Sequence, residues 1–213
     1  MDNESLLVAD EERDILQELM NIAFGKAAAE LAEVISIFVV LSVPSIKVLK
    51  AAQLPEYLQE EIRDFADISI VEQNFWGRFK GSAFLVFPAG AGKALISLLD
   101  PEHEATFESG TFEVLEKETL MEVGNILIGA CVGKMSELLG DVVTYSPPKV
   151  VVENEPRGII PKNLFDPEYT AIVMRTVFRF EERDVRGFLF LVTTHDSIVW
   201  LKKALAAFIE HYE

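Results

Sequence analysis

The chain has one cysteine, three histidines, and only 19 basic residues against 35 acidic ones. A single thiol, Cys131, cannot close an internal disulfide, so the fold rests on packing and a reduced cytoplasm is the expected setting. Cys131 stands among Gly129, Ala130 and Val132 and reads as a small packing residue. The histidines, His103, His195 and His211, are scattered, whereas a metal site needs several convergent ligands. Each reads as a surface or packing residue, and no metal site is expected in this chain. The shortage of basic residues leaves a formal net charge of −16, which repels polyphosphates and anionic headgroups and makes nucleic acid and membrane surfaces poor partners. Another acidic protein remains a partner where matched pairs and apolar contacts outweigh the repulsion, with salt modulating the encounter. Long hydrophobic runs are also missing. The longest, around Val34 to Val43, is broken by Ser36 and Ser42 and is too short to cross a bilayer as a helix. The start, Met1-Asp-Asn-Glu-Ser, has no basic segment followed by an apolar core, so no secretory signal is expected.

What is present is an ordinary globular balance, half apolar and a quarter charged over 213 residues, enough for one sizeable core and one expected domain, 1–213. Apolar residues at Ile15, Leu16, Leu19, Ile22, Ala23, Ala27, Leu31 and Val34 have the spacing of one helical face and predict a helix from about Glu11 to Ser36. β-Branched residues from Ile37 to Val48, interrupted by Pro44, suit an edge strand or a strand with a break. A short helix over Pro55 to Phe65, a hairpin of Ile68 to Trp76 and Arg78 to Phe87, and a helix from Gly90 to Leu99 follow. Asp100 to Gly110 reads as a linker. Beyond it come a second long helix, Thr111 to Leu139, and a strand, Val142 to Val152, carrying Pro147 and Pro148. After a loop with Pro156, Gly158, Pro161 and Pro167 come a hairpin of Tyr169 to Phe180 and Val185 to Thr193 and a last helix, Asp196 to Phe208. Gly90-Ala-Gly-Lys93 lacks the second half of a P-loop and reads as a helix-start turn, and the 15 phenylalanines read as core.

The order helix, strand, hairpin, helix thus occurs twice, in halves of approximately 11–100 and 111–213. Shifted on itself by 104 residues, the chain aligns Glu12, Leu16, Glu18, Asn21, Ile22, Gly25, Glu33, Val39, Ser42, Pro44 and Val48 with identical residues from Glu116 to Val152. Chance would give about two or three matches in such a window, so the halves descend from an internal duplication. A smaller echo follows at a shift of 106, where Lys80-Gly81 meets Arg186-Gly187 and Phe84-Leu85-Val86 meets Phe190-Leu191-Val192.

Within the first long helix Asp14, Glu18, Asn21 and Gly25 share a stripe about 60° wide, and Glu118, Glu122, Asn125 and Gly129 repeat it. A polar stripe alone is what any amphipathic helix shows. Asn and Gly, however, weaken an exposed helix by about 0.5–1 kcal/mol relative to Ala, and the glycine suggests that something approaches closely. Pro44 and Pro148 each lie 23 residues past their asparagine, so Glu-x-x-Asn-(22 residues)-Pro occurs twice.

This pattern resembles the D/S-x-x-x-E-x-x-N-(22 residues)-P signature of the CheC, CheX and FliY phosphatases of chemotaxis. The resemblance spans nearly the whole chain and is closest to CheC. It departs at Met20, where the family usually has Gly, and at Glu118, where the usual residue is Asp or Ser. The resemblance implies an α+β fold, pseudo-two-fold, with a largely antiparallel sheet of about six strands. It implies hydrolysis of the aspartyl phosphate of a CheY-type response regulator, with Asn21 and Asn125 holding the attacking water. Glu18 and Glu122 would pair with the regulator's lysine, and Asp14, Gly25, Glu118 and Gly129 would support docking. Mg²⁺ would belong to the regulator, with no cofactor in this chain. Two other readings stand beside it: a non-catalytic module that docks a receiver or the deamidase CheD, and a flagellar switch component like FliY. Unequal activity at the two sites is expected, the Asn125 copy having the better preserved core.

Overall fold

A computed structural model describes residues 10–35, 38–65, 67–99, 109–153, 170–181, 185–193 and 195–212. Helix α1 (Asp10–Ile35) buries Leu16, Leu19, Met20, Ala23, Phe24, Ala27 and Leu31, spaced by three and four, and opens on Asp10, Glu11 and Glu12, whose charge suits a helix N-terminus. The chain then passes through β1 (Val39–Leu41), β2 (Ser45–Lys50), a 3₁₀ turn and α2 (Leu54–Glu61). The hairpin β3 (Ile68–Trp76) and β4 (Gly81–Pro88) leads, through Gly90 at φ +77°, into α3 (Ala91–Leu99). The second half contains α4 (Ser109–Leu138), β5 (Thr144–Tyr145), β6 (Lys149–Glu153), β7 (Thr170–Phe180), β8 (Val185–Thr193) and α5 (His195–Tyr212). Ser109 and Gly110, expected in a linker, are already helical; the rest of that stretch and the loop carrying Pro156 to Pro167 lie outside the described residues. Helix α4 stops where Gly140 turns to φ +65°, its N–H donating to the Glu137 carbonyl (3.1 Å) and the Asp141 N–H to that of Ser136 (2.8 Å). These two bonds satisfy carbonyls that the helix end would otherwise orphan.

The sheet has eight strands where about six were expected, and the difference sits at two prolines. Pro44 separates β1 from β2, which both pair with β7; Pro148 lies between β5 and β6, which both pair with β3. Val142 to Val152 is therefore not one strand: proline has no N–H to donate to the ladder and interrupts it. Counting each broken strand as one line, the sheet has six lines, all antiparallel, in the order β1/β2, β7, β8, β4, β3, β5/β6.

That order interlocks the halves. Each hairpin extends its sheet with the broken strand of the other half, and the pseudo-two-fold axis passes between β4 and β8. Gly81 and Gly187 are counterparts across this seam. A Cβ on Gly81 would run into the Val192 carbonyl and the Phe75 ring, and one on Gly187 into the Val86 carbonyl and the Phe178 ring. Both glycines are needed for close approach, which explains the echo at 106.

One sheet face carries the main core, shared by α1, α3, α4 and α5; the other packs a smaller cluster with Leu54, Leu58 and Ile62 of the α2 segment. Phenylalanine dominates the interior: Phe24, Phe75, Phe79, Phe84, Phe87, Phe178, Phe180 and Phe190 are all fully buried, as is Cys131. Since α1 and α4 lie on one face of a sheet pierced by the axis, they run in opposite directions. Glu30 and Lys134, counterparts under the 104-residue shift, meet at 2.8 Å between them.

Candidate functional site

The stripes read from the sequence lie on the outer sides of α1 and α4. Asp14, Glu18, Asn21 and Gly25 are exposed, as are Glu118, Glu122 and Asn125; Gly129 is half-buried. Among the described residues none of these four carboxylates has an ion-pair or hydrogen-bond partner. Each stripe therefore presents two uncompensated negative charges one helical turn apart beside a carboxamide, an arrangement that attracts a cation. Among the described residues a Cβ on Gly25 or Gly129 would meet nothing within 4 Å, so their packing does not require either glycine. Among the described residues no group of three or more His, Cys, Asp or Glu side chains is placed to hold a metal ion.

The broken strand that follows each signature helix lies against that helix and is pinned to its neighbouring strand. At the second break the Ser146 N–H donates to the Asn74 carbonyl (2.9 Å), and the Asn74 N–H donates to Ser146 Oγ (3.0 Å). At the first, the Ser42 N–H donates to the Val177 carbonyl (2.8 Å), and the Val177 N–H to Ser42 Oγ (2.9 Å). The shared Ser-x-Pro thus fixes each break to its neighbouring strand through matched main-chain and side-chain bonds.

Beneath this common frame the two sites differ. Phe75 lies opposite Gly81 and Tyr145, and Phe178 lies opposite Gly187 and Leu41, so β3 and β7 superpose with Gln73 in the place of Thr176. Both side chains hold the carbonyl of their break's serine: Gln73 Nε2 donates to Ser146 (2.9 Å) and Thr176 Oγ1 to Ser42 (2.6 Å). Only Gln73 reaches further, donating its other N–H to Asn125 Oδ1 at 2.7 Å. The serine carbonyl is an acceptor only, so the nitrogen of Gln73 must face it, and the Asn125 atom meeting that same nitrogen must be the oxygen. The Asn125 amide is thereby fixed with Oδ1 inward and Nδ2 outward. Asn21 has no hydrogen-bond partner among the described residues. Tyr145 adds a long bond from its hydroxyl to the Gly129 carbonyl (3.4 Å); burial, and the neighbouring Cys131, push its phenol up to about 12, keeping it a donor.

The packing beneath each helix accounts for the difference in reach. Gly124 sits directly on β3, where a Cβ would lie 2.6 Å from Val71 Cγ1. The corresponding positions of the first half hold Met20 and Met174, both fully buried. Two methionines need more room between helix and sheet than a glycine and a valine, and α4 makes close contacts with β3 itself whereas α1 makes them with β1 and β2. Gly124 lowers Asn125 onto Gln73; Met20 holds Asn21 away from a side chain that is already shorter. Gln73 was not identified from the sequence, although the polar run Glu72-Gln73-Asn74 inside an otherwise apolar strand is a visible irregularity.

The CheC-like family model matches the chain twice, over residues 11–48 and 115–152, the two segments that carry helix, asparagine, break and proline. Over these two segments the chain is similar to the CheC-like family. It is 23% identical over 205 residues to the CheY-P phosphatase CheC of Bacillus subtilis, covering 94% of this chain and 96% of that one. Its fold is that of Thermotoga maritima FliY, with a TM-score of 0.70 at 20% identity over 94% of this chain and 98% of that chain. The chemotaxis protein CheX of Desulfovibrio desulfuricans is a more distant likeness, with a TM-score of 0.51 at 16% identity over 82% and 99% of the two chains. The CheC-like matches end before the β3 and β7 hairpins, so the difference between Gln73 and Thr176 lies outside the segments that define the family.

Proposed function

We propose that this protein hydrolyses the aspartyl phosphate of a CheY-type receiver, and that the held carboxamide of Asn125 beside the unpaired carboxylate of Glu122 is the observation that carries this reading. An acyl phosphate already has a good leaving group, so catalysis needs mainly a water held in line with the phosphorus–oxygen bond. The water oxygen bonds to phosphorus, the bond to the aspartyl oxygen breaks, the receiver regains its carboxylate, and of the water's two protons one stays on inorganic phosphate and the other passes to solvent. Asn125 supports this step by offering outward N–H donors and the second lone pair of Oδ1; Asn21 offers the same groups without an anchor. Glu18 and Glu122 take the receiver's lysine as an ion pair, and Asp14 and Glu118 extend the negative stripe that it meets. Gly25 and Gly129 leave room for the receiver's backbone. The Mg²⁺ of the reaction is the receiver's own, coordinated by its acidic pocket.

The test is phosphate release from a phosphorylated receiver with Mg²⁺ and substoichiometric amounts of this protein. Asn21→Ala with Asn125→Ala should return the rate to that of the receiver alone. A double variant as fast as the wild type would refute the assignment of both asparagines. Stoichiometric protection of the phosphorylated receiver without turnover would support the docking module.

A further inference from the structure

We infer that Gln73 is a positioning residue: it holds the Asn125 carboxamide in one orientation and so makes the Asn125 site the principal one. The inference rests on the phosphatase reading for its kinetic consequence, but its structural content is independent of it. Gln73 is 2% exposed on the middle of β3, a position where a strand facing the core normally carries an apolar residue. Its two N–H groups are spent on Ser146 and Asn125, while its Oε1 is buried with no partner among the described residues. Leaving a buried carbonyl oxygen unpaired is unfavourable, so the side chain is not explained by satisfying itself. Anchoring the break does not explain it either. Thr176 anchors the equivalent break through one hydroxyl, Ser42 Oγ lying 3.2 Å away as well, with no side chain reaching toward the helix. What glutamine adds over threonine is the bond to Asn125.

That bond removes a specific freedom. An exposed asparagine rotates about χ2 and exchanges its oxygen and nitrogen between two directions of similar energy. With Oδ1 pinned to Gln73, the outward direction always presents Nδ2. A group held in its working orientation before the encounter contributes to rate without loss of rotamer entropy at the moment of reaction. Asn21 must order itself each time.

Thr176 supplies the substitution that separates the two roles, because threonine in the equivalent place keeps the break anchored. In an Asn21→Ala background, where only the Asn125 site reports, Gln73→Thr should lower kcat about tenfold, the order expected for one lost hydrogen bond to a polar group, with KM for the phosphorylated receiver within about twofold. An unchanged kcat would overturn the positioning role. Side-chain amide NMR gives a readout that needs no activity. The Asn125 NH₂ should be rigid in the wild type and, in Gln73→Thr, as mobile as that of Asn21, while the backbone amides of Asn74 and Ser146 stay protected from exchange. Equal mobility of Asn125 in both proteins would refute the inference. If no form hydrolyses a phosphorylated receiver, the phosphatase reading fails, and the NMR comparison still decides whether Gln73 positions Asn125.

Discussion

Between α4 and the sheet stand a glycine and a valine; at the corresponding place under α1 stand two methionines. Both arrangements fill the core, since none of the three larger side chains is exposed, yet α4 lies close along β3 while α1 makes its contacts with β1 and β2. Only at α4 does a side chain of the neighbouring strand touch the asparagine. The duplicated stripes share Glu, Asn and Gly, and the packing beneath them differs. The setting of the Asn125 carboxamide thus depends on buried residues beneath it.

The comparison is broken most severely by exchanging the buried pair. Met20→Gly removes a fully buried side chain and places glycine in mid-helix, so it should destabilise the protein by about 4 kcal/mol, read as a fall in the urea midpoint. A loss under about 1 kcal/mol would show that α1 settles onto β7 after all. Gly124→Met drives a side chain into Val71 and should cost about 1–3 kcal/mol by overpacking, while lifting Asn125 off Gln73. The companion signature is a mobile Asn125 amide by NMR. Single asparagine variants sharpen the same contrast. Asn125→Ala should lower receiver dephosphorylation about tenfold, roughly 1.4 kcal/mol, whereas Asn21→Ala should lose less than half the rate. The reverse ranking would show that a free carboxamide outperforms a held one. The smallest effects belong to the stripe glycines. Because nothing lies within 4 Å of their Cβ positions, Gly25→Ala and Gly129→Ala should each stabilise the fold by about 0.5–1 kcal/mol, raising Tm by a few degrees at most. The same changes should weaken receiver binding, and unaltered binding would remove the glycines from the interface.

Most of the elements were legible because their signals are local. The three- and four-residue spacing in α1, the hairpins and the turn at Gly90 depend on neighbours in the chain, and those segments formed where they were expected. The sheet keeps the expected six lines, and two of them are broken for a reason that is also local: Pro44 and Pro148 each interrupt the ladder. The stripe residues were legible too, since a helix puts positions four and seven apart on one face whatever surrounds it.

The amino-acid sequence by itself determined the duplication, the two signature helices, their Glu–Asn stripes and the spacing from each asparagine to its proline. Tertiary structure decided what that spacing means and how the copies differ. Each broken strand pairs with the hairpin of the other half and lies beside its own helix. Gln73 comes to Asn125 from 52 residues away, through a strand outside the repeated segments, and meets it because Gly124 lets the helix down. No periodicity records such a contact. It depends on the distance between two packed layers, which is set by the summed volumes of side chains from distant parts of the chain.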